Sequence, residues 1–474
     1  MKKYILSIFS LFVLFSCSDD KYERMNENPK NPSDVPASFL FSSATKDLTD
    51  QVTNLNVNNN IFRFISQYLT ATTYTQEPNF NLTDRNIPQQ HFAILYRDVL
   101  IDLKDAEEAT AANAELLPEE EVAARLAQIK VLQAYTWHYL VDTFGNIPFT
   151  EALDLENNLP VYDDALDVYN QLITDLTDIN DDFNATGFTG QDLLFDGDMS
   201  KWQKFSNSLL LRIGMRLSES NPEIANAAVQ TAVSNGVMES NADNAIFEYL
   251  DAPPNTNPLW EDLVQSGRSD YVAANTIVNY MNELGDPRRA VYFDQNLGDD
   301  SYIGGIYGAS NSYSNYTHIG AEFREPTHPG ILMDYAEVEF LLTEAAARGI
   351  ASVSNPEEHY ENAITASFEY WLGTTEGVNN YLEQSDVAYS DDNWEEQVAT
   401  QFWIAMYDNA FQGWYVWRKF DNPSLNLPQV SENPIPLRFT YPIREQNLNS
   451  ENYQQAADAI GGDSQQTPLF WDVN

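Results

Sequence analysis

Apolar residues recur near the 3.6-residue period along most of this chain, which predicts a mainly helical protein. The stretch 121–144 shows the pattern best. Val122, Leu126, Ile129, Leu132, Thr136, Tyr139 and Leu140 form one stripe, and Ala123, Ala127 and Ala134 leave room for close neighbours. Gly145 follows as a stop signal, with Pro148 just beyond. Similar amphipathic patterns cover 89–113, 162–183, 199–219, 222–235, 273–284, 333–349, 356–372 and 394–412. Adjacent ones are joined by short connections, the arrangement of stacked helical hairpins. No clean 34-residue period is present, so any tetratricopeptide-like repeat is degenerate.

Two segments break the helical pattern. Residues 240–270 and 285–330 are rich in Asn, Gly, Pro, Ser and Tyr, and predict long ordered loops with a few short strands. Loops of that length inside a compact domain are usually functional.

The N-terminus has a pattern of its own. Met1-Lys2-Lys3 precedes an apolar run from Tyr4 to Phe15, then Ser16 and Cys17, the only cysteine. A positive start, a short apolar run and a small residue before the cut predict a signal peptide, and the run is too short to span a membrane. A cysteine straight after the small residue predicts a lipoprotein signal over 1–16 with Cys17 as the lipidation site. Phe15 is bulkier than usual there. Residues 17–37 are polar and Pro/Asn-rich, an acylated N-terminus and flexible tether. Residues 38–474 are expected to form a single domain.

Composition narrows the partners. With 71 acidic and 25 basic residues the net charge is −46, which opposes binding to nucleic acid or anionic lipid. The histidines His91, His138, His318, His328 and His359 show no metal-ligand spacing, and no nucleophile elbow or phosphate loop is present. The segment 182–187 begins like a calcium loop, but Leu193 stands where its bidentate Glu belongs, so it reads as a turn. No catalytic residue, metal site or cofactor is expected. Glu337, Glu339 and Glu344 read as a solvated helix face or as partners of Arg348. Trp137, Trp202, Trp403, Trp414 and Trp417 read as core.

Aromatic residues make up 13% of the chain. A ring stacks on the apolar face of a sugar while amides and charged groups bind its hydroxyls, so loop aromatics flanked by such groups predict a glycan cleft. Tyr302, Tyr307, Tyr313 and Tyr316 lie in a Gly/Ser/Asn-rich loop that is hard to explain as core. Tyr74, Asn81 and Asp84, close to Arg85, form a second set, and Trp260, Arg268 and Tyr271, with Asp270, a third. Each aromatic either lines a cleft or packs its loop onto the helices; the sequence leaves both open.

Several segments, in order, resemble one family. They are 125–149 ending Tyr-Leu-Val-Asp-Thr-Phe-Gly-Asn-Ile-Pro, Lys201-Trp202 to Ser218, Asp286-Pro287-Arg288, 333–346, 401–423 with Gly413-Trp-Tyr-Val-Trp-Arg418, and Arg438 to Pro442 through Tyr453 to Trp471-Asp472. Together with the signal peptide they resemble the SusD/RagB outer-membrane nutrient-binding lipoproteins, in particular the SusD-like branch. The resemblance implies a mostly α fold of tetratricopeptide-like hairpins carrying a loop-rich part. It also implies a lipid-anchored, surface-exposed protein of the outer membrane. Ser18-Asp19-Asp20 resembles the family's acidic export signal. The implied function is capture of a neutral oligo- or polysaccharide and its delivery to a SusC-like TonB-dependent transporter, with this protein as the lid. A peptide-capturing member of the family and a surface glycoside hydrolase remain alternatives. Ligand residues sit in the family's variable loops, so the resemblance gives their region and not their identities.

Overall fold

The computed structural model describes residues 35–431 and 433–473. The expected signal peptide, Cys17 and nearly all of the tether lie outside them. The chain enters the domain directly in helix α1 (Ala37–Thr53), which begins at the end of the expected tether. None of the described helices is long and apolar enough to cross a membrane.

The expected mostly helical architecture is present. After the short α2 (Phe62–Ile65), α3 (Ile87–Ala93) runs through a π-helical segment into α4 (Ile101–Ala112). Then come α5 (Glu119–Phe144), α6 (Ala165–Asp178), α7 (Met199–Arg216) and α8 (Pro222–Asn235). Past the loop-rich part follow α9 (Tyr335–Arg348), α10 (Pro356–Leu372), α11 (Trp394–Ala405), α12 (Ala410–Phe420) and α13 (Ser450–Ala459). Sequential helices pack as hairpins, most extensively α7 with α8 and α9 with α10. Helix α5 stops at Gly145, whose φ of +84° suits glycine. The expected single helix over 394–412 is instead two. The chain breaks at Met406–Asn409 because Asp408 turns inward to Arg63 and His328, 3.1 Å from each.

The C-terminal half of α5 is buried all round, so it forms the centre of the scaffold. The resemblance segments supply its internal ion pairs. Arg212 on α7 grips Glu337 on α9 through two bonds of 2.6 and 2.7 Å, with both side chains buried. Arg216 meets Asp142 of α5 at 2.9 Å, and Trp471 donates to the same carboxylate at 2.9 Å. Arg288 and Asp286 pair at 2.6 Å, and Tyr381 donates to Asp286 at 2.9 Å. The solvated-face reading of Glu337, Glu339 and Glu344 is therefore corrected: all three are buried, and Glu344 binds Arg348 at 2.9 Å. Charges in a low-dielectric interior persist only when paired. The helical tryptophans pack as expected; Trp202, Trp403 and Trp414 are fully buried.

The loop-rich part carries two short antiparallel ribbons. Strand β1 (Leu69–Ala71) pairs with β3 (Tyr271–Ala273), and β2 (Ala245–Phe247) with β4 (Gly330–Met333). The first ribbon matters most for function, since Ala71 faces Tyr271 in its register and the loops leaving both strands meet beyond that pair.

Candidate functional site: an aromatic cleft beyond the first ribbon

Where β1 and β3 end, the loops 56–58, 72–85 and 262–270 close around a cleft of about 440 Å³. Thr72 holds the two rims together through its backbone and its side chain. Thr72 N donates to Asp270 O at 2.8 Å and Thr72 Oγ1 to Ser269 O at 2.7 Å. Phe64, Ala71 and Tyr271 make its apolar lining, with Phe64 and Tyr271 rings 5.9 Å apart. Burial pushes the Tyr271 hydroxyl pKa up, so it remains a neutral donor.

Tyr74 is the exposed ring of the cleft, 44% accessible. Two guanidinium groups flank it, Arg268 at 5.4 Å and Arg85 at 5.6 Å from the ring centroid. Each is tied to a carboxylate, Arg268 to Asp270 and Arg85 to Glu77. Cation–π contact and ion pairing thus restrict the ring before any ligand arrives. Asp262 also lines the cleft, and burial, with Glu261 and Asp270 adding, raises its pKa to about 6. Around one exposed tyrosine, then, stand guanidinium donors, carboxylate acceptors and the amides of Asn56 and Asn58. Such a set stacks on a flat apolar face and hydrogen-bonds vicinal hydroxyls.

Tyr74, Arg268 and Tyr271, expected from three separate stretches, therefore come together. Tyr313 lies close by: its ring stacks on His318 at 3.8 Å, and both line a small cavity with Arg268, Asp270 and Tyr271. Tyr316 is half-buried on the same loop, its carbonyl accepting from Asn296 at 3.0 Å. Trp260 is half-buried at the end of the short helix Pro258–Trp260 and does not line the cleft. Asn81 organises a turn, its Oδ1 accepting from Thr83 N at 3.0 Å and from Asp84 N at 3.1 Å, and Asp84 points to solvent.

Tyr302 and Tyr307 are corrected from loop-surface rings to core residues, 6% and 1% exposed. Their loop lies flat on the first ribbon, with Gly305 N donating to Ala273 O at 2.8 Å. A Cβ on Gly304 would sit 2.4 Å from the Asn275 Cα, so glycine is what permits this approach and turns both tyrosines inward. Tyr307 Oη donates to Phe64 O at 2.6 Å, bracing the cleft from beneath. Sequence reasoning missed Asn56, Asn58, Glu77 and Asp262. The asparagine-rich run at 54–60 was the available signal for the first two.

The molecule is a helical scaffold that presents a loop-built, aromatic, polar-rimmed cleft. The family model SusD-like_2, described as "Starch-binding associating with outer membrane", matches residues 29–442. The chain belongs to the SusD-like family. Solved structures agree in fold. A SusD-like protein described as Bacteroidetes AC2a shares 23% identity over 93% of this chain and 100% of its own, with a TM-score of 0.80. A chitin-binding SusD homolog from Flavobacterium johnsoniae shares 23% over 93% and 98%, with a TM-score of 0.78. A SusD homolog from Bacteroides uniformis shares 24% over 92% and 100%, with a TM-score of 0.79. The comparison with curated protein sequences returns no match.

Proposed function

We propose that this protein is a non-catalytic, cell-surface glycan-binding lipoprotein, anchored through Cys17, that captures a neutral glycan in the Tyr74 cleft. In this reading it delivers the glycan to a SusC-like TonB-dependent transporter and acts as its lid. The observation that carries the reading is the open Tyr74 ring between Arg85 and Arg268, with carboxylates and amides around it. Family membership and the chitin-binding relative support a sugar as cargo. The net charge of −46 disfavours polyanionic cargo.

Isothermal titration against neutral malto-, chito- and cello-oligosaccharides tests the cargo. Binding to at least one series, with unchanged reducing-end content after incubation, is expected. No binding to any series, or turnover, overturns the reading. Co-purification with a large β-barrel after gentle solubilisation tests the partner, and loss of membrane attachment on Cys17→Ser tests the anchor.

A further inference from the structure

A second groove, of about 300 Å³, adjoins the Tyr74 cleft and shares two of its lining residues, Asn56 and Asp262. It runs along α1 and reaches the π-helical segment that follows α3, and its lining changes character. The Tyr74 cleft contains two arginines. The groove is lined by the carboxylates of Asp47, Asp50, Asp98, Glu261 and Asp262 with four side-chain amides and no basic residue. Lys46 and Tyr249 both bind Asp50, at 2.5 and 2.7 Å, Arg97 pairs with Asp98 at 2.5 Å and Thr256 donates to Glu261 at 2.8 Å, so the five lining carboxylates still outnumber the two cations paired to them. What makes the groove part of the site is the wall it shares with the aromatic cleft; its carboxylates then decide which sugars it accepts.

We propose that the Tyr74 cleft and this groove form one continuous site for a linear glycan whose units carry neither carboxylate nor sulfate. The aromatic cleft takes the first units, and the groove takes later ones and rejects acidic sugars. The inference rests on the reading of the Tyr74 cleft as a glycan site and adds its extent and charge selectivity. Carboxylates and amides accept and donate the many hydroxyl hydrogen bonds of a polysaccharide without needing a ring in every subsite. An anionic unit there would face several carboxylates across a few ångströms of partly desolvated space, and repulsion at such range outweighs hydrogen bonding. Burial already raises Asp47 and Asp262 to about 6, so this space disfavours added negative charge.

The test uses the folded domain and titrates chito- and malto-oligosaccharides from two to six units, with oligogalacturonides of the same lengths as acidic probes. Affinity for the neutral series that binds is expected to rise about tenfold or more from disaccharide to pentasaccharide. Oligogalacturonides are expected to bind at least about tenfold more weakly than neutral chains of equal length. Asn59→Trp, which fills the groove, should reduce pentasaccharide affinity to the disaccharide level and leave the disaccharide unchanged. Asp98→Asn with Glu261→Gln should narrow the gap between acidic and neutral chains. Failure of every neutral chain to bind removes the underlying reading. Neutral binding without length dependence, insensitive to Asn59→Trp, removes the extension alone, and equal binding of oligogalacturonides removes the charge selectivity.

Discussion

Tyr74 and Tyr307 are the same residue type in neighbouring loops, and burial separates their roles. Tyr74 exposes its ring between two guanidinium groups, whereas Tyr307 is 1% exposed and hydrogen-bonded to the Phe64 carbonyl. Tyr74→Ala is expected to weaken oligosaccharide binding by about 1–3 kcal/mol, by analogy with bases stacking on aromatic side chains, with an unchanged melting temperature. Tyr307→Ala is expected to cost about 3–5 kcal/mol of stability instead, as for other large buried aromatics, measured by denaturant unfolding. Trp260→Ala should leave binding unchanged. Composition showed that loop aromatics were abundant, but the alternation of Gly304 and Gly305 against the ribbon decided which of them turned inward, and that depends on a contact between segments distant in sequence.

At the scale of elements, helices were legible because their apolar stripes are local. Ranges such as 199–219 and 356–372 correspond closely to α7 and α10. The break between α11 and α12 was not legible, since it follows from Asp408 finding Arg63 and His328 far away in the chain. Burial of Glu337 depended likewise on Arg212, 125 residues away in sequence. Glu337→Gln is expected to cost about 3–5 kcal/mol, because Arg212 would be left charged and unpaired in the interior. Replacing both Arg212 and Glu337 by Met should restore most of that loss, a result readable from paired unfolding curves. The cleft was only partly legible: Tyr74, Arg268 and Tyr271 were singled out, but their meeting depends on the register of Ala71 opposite Tyr271.

For the whole molecule, two of the buried histidines, His91 and His328, set opposite pH limits. Burial lowers His91 to about 3, so as pH falls below 6.5 the unfolded chain takes up a proton that the folded one refuses. Its contribution is complete above pH 6.5 and is lost by about 1.4 kcal/mol per pH unit as pH falls toward 3. Burial opposes the charge on His328, but Asp408 and Glu322 outweigh it and raise the group to about 9. That contribution is complete below pH 6.5 and is lost as pH rises through about 9. Unfolding free energies between pH 4 and 6.5 should therefore show a shallower slope for His91→Phe than for the wild type, by about 1.4 kcal/mol per unit.

The Tyr74 cleft is the centre of the proposed function. A crystal structure with a bound neutral oligosaccharide tests it most directly. A sugar ring stacked on Tyr74, with hydroxyls bonded to Arg268, Asp270 or Arg85, is the predicted result; a well-ordered sugar bound away from Tyr74, with this cleft left to solvent, would contradict it.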